Sequence, residues 1–563
     1  MKQVCLLLTL VICQVMIAEG QYSRYIIQIK DKKGTPYTLA NPSNYLSAKA
    51  IERRSRQHIP LDSTDLPVSP AYLDSLRSVS NLTILNKSNW FNQVCIRTTD
   101  INALARVNAF PFVRSISPVA SKVDAISTPV NKPLNGTMAT ESNKKITIIE
   151  ANTINYGNTF GQIHIHEGEY LHNQGFTGEG ITIAVLDAGY FGYKSNPAFD
   201  SVRLRNRVLG EWDFVANEQS VDEDNTHGMF CFSIMAANRP GLIVGSAPGA
   251  SYYLFRTEDA GSEYPVEEQN WAAAAERADS LGVDMISSSL GYSNFDDPSF
   301  NHSYTERNGN LALVTRAADM AAKKGIIVMN SAGNSGNTAG DLKFVACPAD
   351  GDSVVAVGAT DINGNIAGFS SWGPNGAGKR KPNIVSVGQA TVIAGFDGNP
   401  QNGNGTSFAN PNMAGLVACL WQAYPEFNNM EIIDAVQRSA HKFNAPDDRF
   451  GFGIPNFRKA SQYLEEQRTI RNYQTSLAND WIKAFPVPFK NNLTILFKAP
   501  ATANVSLRLL DISGKTLEVK SMAVQQNVIY NARFSRLSLI PAGGYLIQYE
   551  DGQNKTTLRM IKQ

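Results

Sequence analysis

The sequence has 563 residues, 43% of them hydrophobic and 18% charged, with a formal net charge of +1. A chain of this length exceeds one core, and its composition is that of an ordinary globular protein rather than a disordered one. Near-neutrality gives no electrostatic reason to expect nucleic acid or an anionic membrane as partner. The basic cluster Arg53-Arg54-Ser55-Arg56 reads as the solvated face of a short helix.

Residues 1–20 have a charged start, an apolar run from Val4 to Ile12 and small residues at Ala18 and Gly20. This is the layout of a secretory signal, too short to be a spanning helix. Export to an oxidising destination leaves Cys95, Cys231, Cys347 and Cys419, as free buried thiols or in any of three pairings. Their wide spacing, without C-x-x-C pairs, argues against a zinc site.

Residues 21–121 read as a small α+β unit. Its strands are expected near Tyr25–Ile29, Val94–Thr98 and Val113–Ile116, its helices near Leu46–Arg56 and Ala71–Val79. Residues 122–160 form a polar linker rich in Ser, Thr, Asn and Pro.

From 161 to 468 short apolar runs (181–186, 252–255, 285–288, 326–330 and 354–357) alternate with helix-length segments such as 271–281 and 312–323. Buried continuous strands alternating with helices predict an α/β domain, a doubly wound, mainly parallel sheet covered on both faces. Ligands of such sheets sit beyond the carboxyl ends of the strands. From 479 to 563 alternating strands separated by turns predict a small β-sandwich.

Three residues stand out for chemistry. Asp187 directly follows the run Ile183-Ala184-Val185-Leu186, and His227 opens an apolar helix in Asp224-Asn225-Thr226-His227-Gly228. A near-neutral imidazole is the natural general base, and a strand-ending carboxylate can orient it. Ser407 lies in Asn404-Gly405-Thr406-Ser407-Phe408-Ala409-Asn410-Pro411, which delivers it to the start of a helix with Pro411 in the opening turn. Free N–H groups and the helix dipole there favour developing negative charge.

Asp, His and Ser in that order, each in this local setting, make the sequence resemble the subtilisin-like serine peptidases over about residues 170–460. No Gly-x-Ser-x-Gly elbow occurs, which separates it from the α/β-hydrolases. The resemblance implies Ser407 as nucleophile, His227 as base and Asp187 as its orienting partner. Ser331-Ala332-Gly333-Asn334 resembles the oxyanion segment, with Asn334 as donor beside the Ser407 N–H. Ser289, Leu290 and Gly291, with Ser331, Ala332 and Gly333, would bind the backbone of an extended substrate. Ala188, Met229, Asn383 and Phe408 depart from the usual family residues without removing a catalytic group.

The implied activity is that of a secreted serine endopeptidase acting on proteins or peptides, with no required cofactor or catalytic metal. Structural calcium is known in the family but has no assignable ligands here. A catalytically silent surface protein using the same groove is the alternative, and a monomer is expected. The N-terminal unit resembles a subtilisin propeptide, to be cut off between about Ser121 and Asn152. Residues 479–563, with Ala484-Phe485-Pro486-Val487-Pro488-Phe489 and Pro541-Ala542-Gly543-Gly544-Tyr545, resemble type IX sorting domains of Bacteroidetes. Such a domain would engage secretion machinery and lead across the outer membrane. His164-Ile165-His166 reads as a surface strand rather than a metal site.

Overall fold

A computed structural model describes residues 22–121, 137–138, 153–476, 480–535 and 537–563. The signal reading and most of the linker lie outside them. The chain divides into two compact units, residues 1–461 and 462–563.

The first unit begins with an antiparallel four-stranded sheet in the order Thr83–Ser88, Gln93–Arg97, Tyr22–Ile29, Val113–Ser121. Ser47 and Asp100 cap the helices Ala48–Arg56 and Ile101–Asn108 by accepting backbone N–H bonds. Alternate strand residues such as Ile27, Val94 and Ile96 meet Leu73, Leu76, Ala103 and Val107 in one apolar core.

Next comes a seven-stranded, wholly parallel sheet. Its order is Ile384–Val387, Val354–Thr360, Ile327–Ser331, Met285–Ser288, Thr182–Asp187, Ser251–Arg256, Val208–Asp213. The side chains alternate between two covered faces. Val328 and Ile286 pack on the alanine-rich helices Val266–Leu281 and Leu313–Lys323. Ile327 and Met329 pack with Val417 and Ile433 of the helices Thr406–Ala423 and Asn429–Ser439. Both faces being apolar explains the uninterrupted hydrophobic runs.

The N-terminal sheet docks on the helix Val266–Leu281. Asn86 bonds Asn270 and Gln269, and Gln93 donates to Gln269 at 2.6 Å. The carboxylate of Glu276 accepts from the Ser88 hydroxyl and from the N–H groups of Asn89 (2.6 Å) and Trp90 (3.1 Å). Arg53 and Arg54 both pair with Asp279, and Arg54 also with Asp65. The basic cluster is therefore not a solvated face: these two arginines are 2% exposed. Their partner Asp279 lies more than 200 residues away, beyond the reach of a local reading.

The second unit holds a three-stranded sheet (Ile482–Phe485, Leu493–Lys498, Ile529–Phe534) and a four-stranded one. The latter runs Thr516–Val524, Ala503–Asp511, Gly543–Glu550, Lys555–Lys562. Ile495, Phe497, Leu507, Leu509, Ile547 and Tyr549 form the core of this β-sandwich.

No described helix is long and apolar enough to cross a membrane. The four described cysteines are free and buried. The His164-Ile165-His166 segment is not a strand: Phe160–His164 is a short helix. His166 is fully buried, bonding the Pro455 carbonyl and the Ser386 hydroxyl. His164 pairs instead with Glu169 at 2.6 Å.

Candidate active site

Asp187 is the last residue of its strand, fully buried at the carboxyl edge of the sheet. Its Oδ1 accepts from His227 Nδ1 at 2.7 Å and from the Ala188 N–H at 2.8 Å. Burial works against the His227 imidazolium, but the Asp187 carboxylate outweighs it and holds this histidine well above its ordinary value.

His227 opens the helix His227–Ala236, and its N–H donates to the Asn225 side chain at 2.9 Å. The glycine after it has a steric cause. A Cβ on Gly228 would lie 2.5 Å from the Gly189 carbonyl oxygen and 2.9 Å from Asp187 Cβ, so only glycine lets the helix approach the carboxylate.

Ser407 is the second residue of the buried helix Thr406–Ala423. Pro411 falls inside that helix rather than in its opening turn, so its missing N–H withdraws the helical bond to the Ser407 carbonyl. The Ser407 hydroxyl donates to the Ser289 carbonyl at 3.4 Å. His227 Nε2 has no partner among the described residues, so the serine–histidine bond is not made in this resting arrangement. Such bonds are often long before substrate arrives. The two helices are nonetheless adjacent: Cys231, one turn beyond His227, donates to the Ser407 carbonyl at 3.3 Å, and Phe408 stacks beside the His227 ring.

Asn334 follows the strand Ile327–Ser331. Its Oδ1 accepts from the Thr406 N–H at 2.8 Å and the Thr406 hydroxyl at 2.9 Å. With the amide oxygen held there, Nδ2 occupies the other edge of the side chain. Thr406 Oγ1 also accepts from the Gly333 N–H at 3.1 Å, tying the segment 331–334 to the serine loop. Ser289, Leu290 and Gly291 follow the strand Met285–Ser288, next to the strand of Asp187. Asp187, Ser289–Gly291 and Asn334 thus stand at or just after the carboxyl ends of adjacent strands, and the helices of His227 and Ser407 bring those residues to Asp187 and Ser289. Cys231 has no local signature, and Thr406 lies inside the serine motif without a role that the motif reveals; their partners come from distant segments.

Comparison with known proteins adds the decisive observation. The profile described as the subtilase family matches residues 178–453. Subtilisin Savinase of Lederbergia lenta is 30% identical over 293 residues, covering 52% of this chain and 94% of that protein. This chain belongs to the subtilase family.

Other subtilases give the same picture. Subtilisin E of Bacillus subtilis is 30% identical over 298 residues, covering 52% of this chain and 68% of the relative. A thermostable alkaline protease of Halalkalibacterium halodurans is 28% identical over 326 residues, covering 58% and 77% respectively. Residues 24–134 match a Bacteroidota peptidase S8 propeptide domain, and residues 483–563 a secretion system C-terminal sorting domain. This subtilase is a serine-type endopeptidase with protein substrates. Its sorting domain engages the type IX secretion machinery and leads it to the cell surface or the extracellular space.

Proposed function

We propose that the enzyme cuts peptide bonds through an acyl-enzyme on Ser407, with His227 passing the proton and Asp187 orienting and stabilising the imidazolium. The observation that carries this reading is the buried 2.7 Å bond between Asp187 and His227, one helical turn from the thiol that touches Ser407. The hydroxyl attacks the substrate carbonyl carbon and gives its proton to His227 Nε2. His227 then protonates the leaving amine, and water repeats the sequence to release the acid.

Asn334 Nδ2 and the Ser407 N–H would stabilise the oxyanion. Ser289–Gly291 and Ser331–Gly333 would pair with the extended substrate backbone, which tolerates many side chains. No organic cofactor enters these steps.

For calcium, Glu258, Glu263 and Glu267 bring carboxylate oxygens within 4.8 Å of one another, donors of the right chemistry. Glu267 already accepts from the Asp259 and Tyr264 N–H groups, and Glu258 from the Tyr292 hydroxyl. Oxygens of Glu258 and Glu267 are thus already engaged within the fold, and calcium is not assigned.

We read residues 1–20 as the signal, 21–121 as a removable propeptide, 122–160 as the processing region, 161–468 as the catalytic domain and 479–563 as the sorting domain. The active species is taken as a monomer. A fluorophosphonate probe tests the assignment: wild type should label and Ser407→Ala should not. Equal labelling of both would reject Ser407 as nucleophile.

A further inference from the structure

The helix bearing Ser407 contains a proline at the position whose N–H would normally bond the Ser407 carbonyl. Ser407 is completely buried, and a buried acceptor without a donor is costly. Two side chains from other elements fill the gap. Ser289 Oγ donates to that carbonyl at 2.9 Å, and Cys231 Sγ at 3.3 Å. Both residues are buried.

The contact is reciprocal on one side, because the Ser407 hydroxyl donates back to the Ser289 carbonyl at 3.4 Å. On the other side, Cys231 Sγ stands 3.8 Å from His227 Nδ1, the nitrogen bonded to Asp187. The carbonyl of Ser407 is therefore fixed between the strand end that lines the groove and the helix that carries His227. Its orientation sets the ψ angle of Ser407, and with it the peptide plane next to the hydroxyl.

We propose that Ser289 and Cys231 are positioning residues for the nucleophile, jointly replacing the helical donor that Pro411 removes. Ser289 thereby acts on the reaction through its side chain as well as on substrate through its backbone. This inference rests on the reading of Ser407 as nucleophile.

The test compares mature wild type with Ser289→Ala, Cys231→Ala and the double variant, and with Ser289→Thr and Cys231→Ser, which keep a donor. Each alanine variant should lower kcat by roughly 2- to 10-fold, the worth of one ordinary hydrogen bond, with KM unchanged. The double variant should lose more than the product of the two, since only then does the carbonyl lack both donors. The donor-keeping variants should restore most of the rate, and fluorophosphonate labelling should slow in step with kcat.

A double variant no worse than that product, losses confined to KM, or no rescue by the donor-keeping variants would overturn the proposal. Should the double variant fail to fold, each single variant against its donor-keeping partner still decides. Wild type that resists the probe would instead remove the nucleophile assignment itself, and this inference with it.

Discussion

Arg53 and Asp279 form an ion pair in which both side chains are almost wholly buried, joining a helix of the N-terminal domain to the helix Val266–Leu281. Arg54 shares the same carboxylate, so removing it leaves two guanidinium groups without that partner. Breaking such a pair from one side costs about 3–5 kcal/mol. Asp279→Ala in an uncleaved Ser407→Ala precursor should therefore unfold or undock at markedly lower temperature. Calorimetry would show it, and an unchanged transition would mean that the pair carries no docking energy.

Docking should also depend on pH through Glu276. Burial lifts its carboxyl to about 7, against the pull of the Ser88, Asn89 and Trp90 donors and of Lys32. Once the N-terminal domain leaves, the group returns towards 4.5, so the docked form binds the extra proton between those values. The contribution is fully present below about 4.5 and is lost as pH rises through about 7. Lys87 also faces Glu276, and Lys32, lowered to about 8 by burial, titrates above that window. The dissociation constant of the N-terminal domain should rise from pH 5 to 8, and Glu276→Gln should flatten that rise. A slope unchanged in Glu276→Gln would assign it to another group.

Asn334→Leu removes one proposed oxyanion donor while keeping the volume. Turnover should fall about 10²- to 10³-fold with KM nearly constant, a size carried over from subtilisin, a relative. Steady-state kinetics on a peptide substrate measures this directly. A loss below tenfold would give the oxyanion to other donors.

The mature N-terminus should fall between Lys122 and Thr137. Thr137 pairs with Asn404 and Met138 with Gly403, antiparallel, which sets Thr137 beside the segment leading into Ser407. At the other described end, the Ser121 hydroxyl bonds the Tyr264 hydroxyl at 2.5 Å. Terminal sequencing of active enzyme checks this. A first residue beyond Thr137, or one near Gln21, would refute it.

Much of this architecture is readable locally. Thr182–Asp187, Met285–Ser288 and Ile327–Ser331 are central strands buried on both faces, and their continuous apolar runs announce them. The outer strand Val208–Asp213 is only partly buried and escapes that signal. Asp187, His227, Ser407 and Asn334 carry neighbours that mark them, such as the glycine forced by the approach of the His227 helix to Asp187. His166 and Arg53 are buried where a local reading places them at the surface, because their environments are made by residues hundreds of positions away. Polarity alone does not say whether a distant partner will bury a side chain.

Cys95, Cys231, Cys347 and Cys419 stay unpaired, and burial raises each thiol above its ordinary value. A sulfur that keeps its proton exchanges poorly with oxidants or other thiols. Among the described residues nothing therefore waits on cross-link formation during export, and nothing is left for a reductant to undo. Activity should be the same with and without a reducing agent, which suits an enzyme exported into surroundings whose redox state it cannot choose.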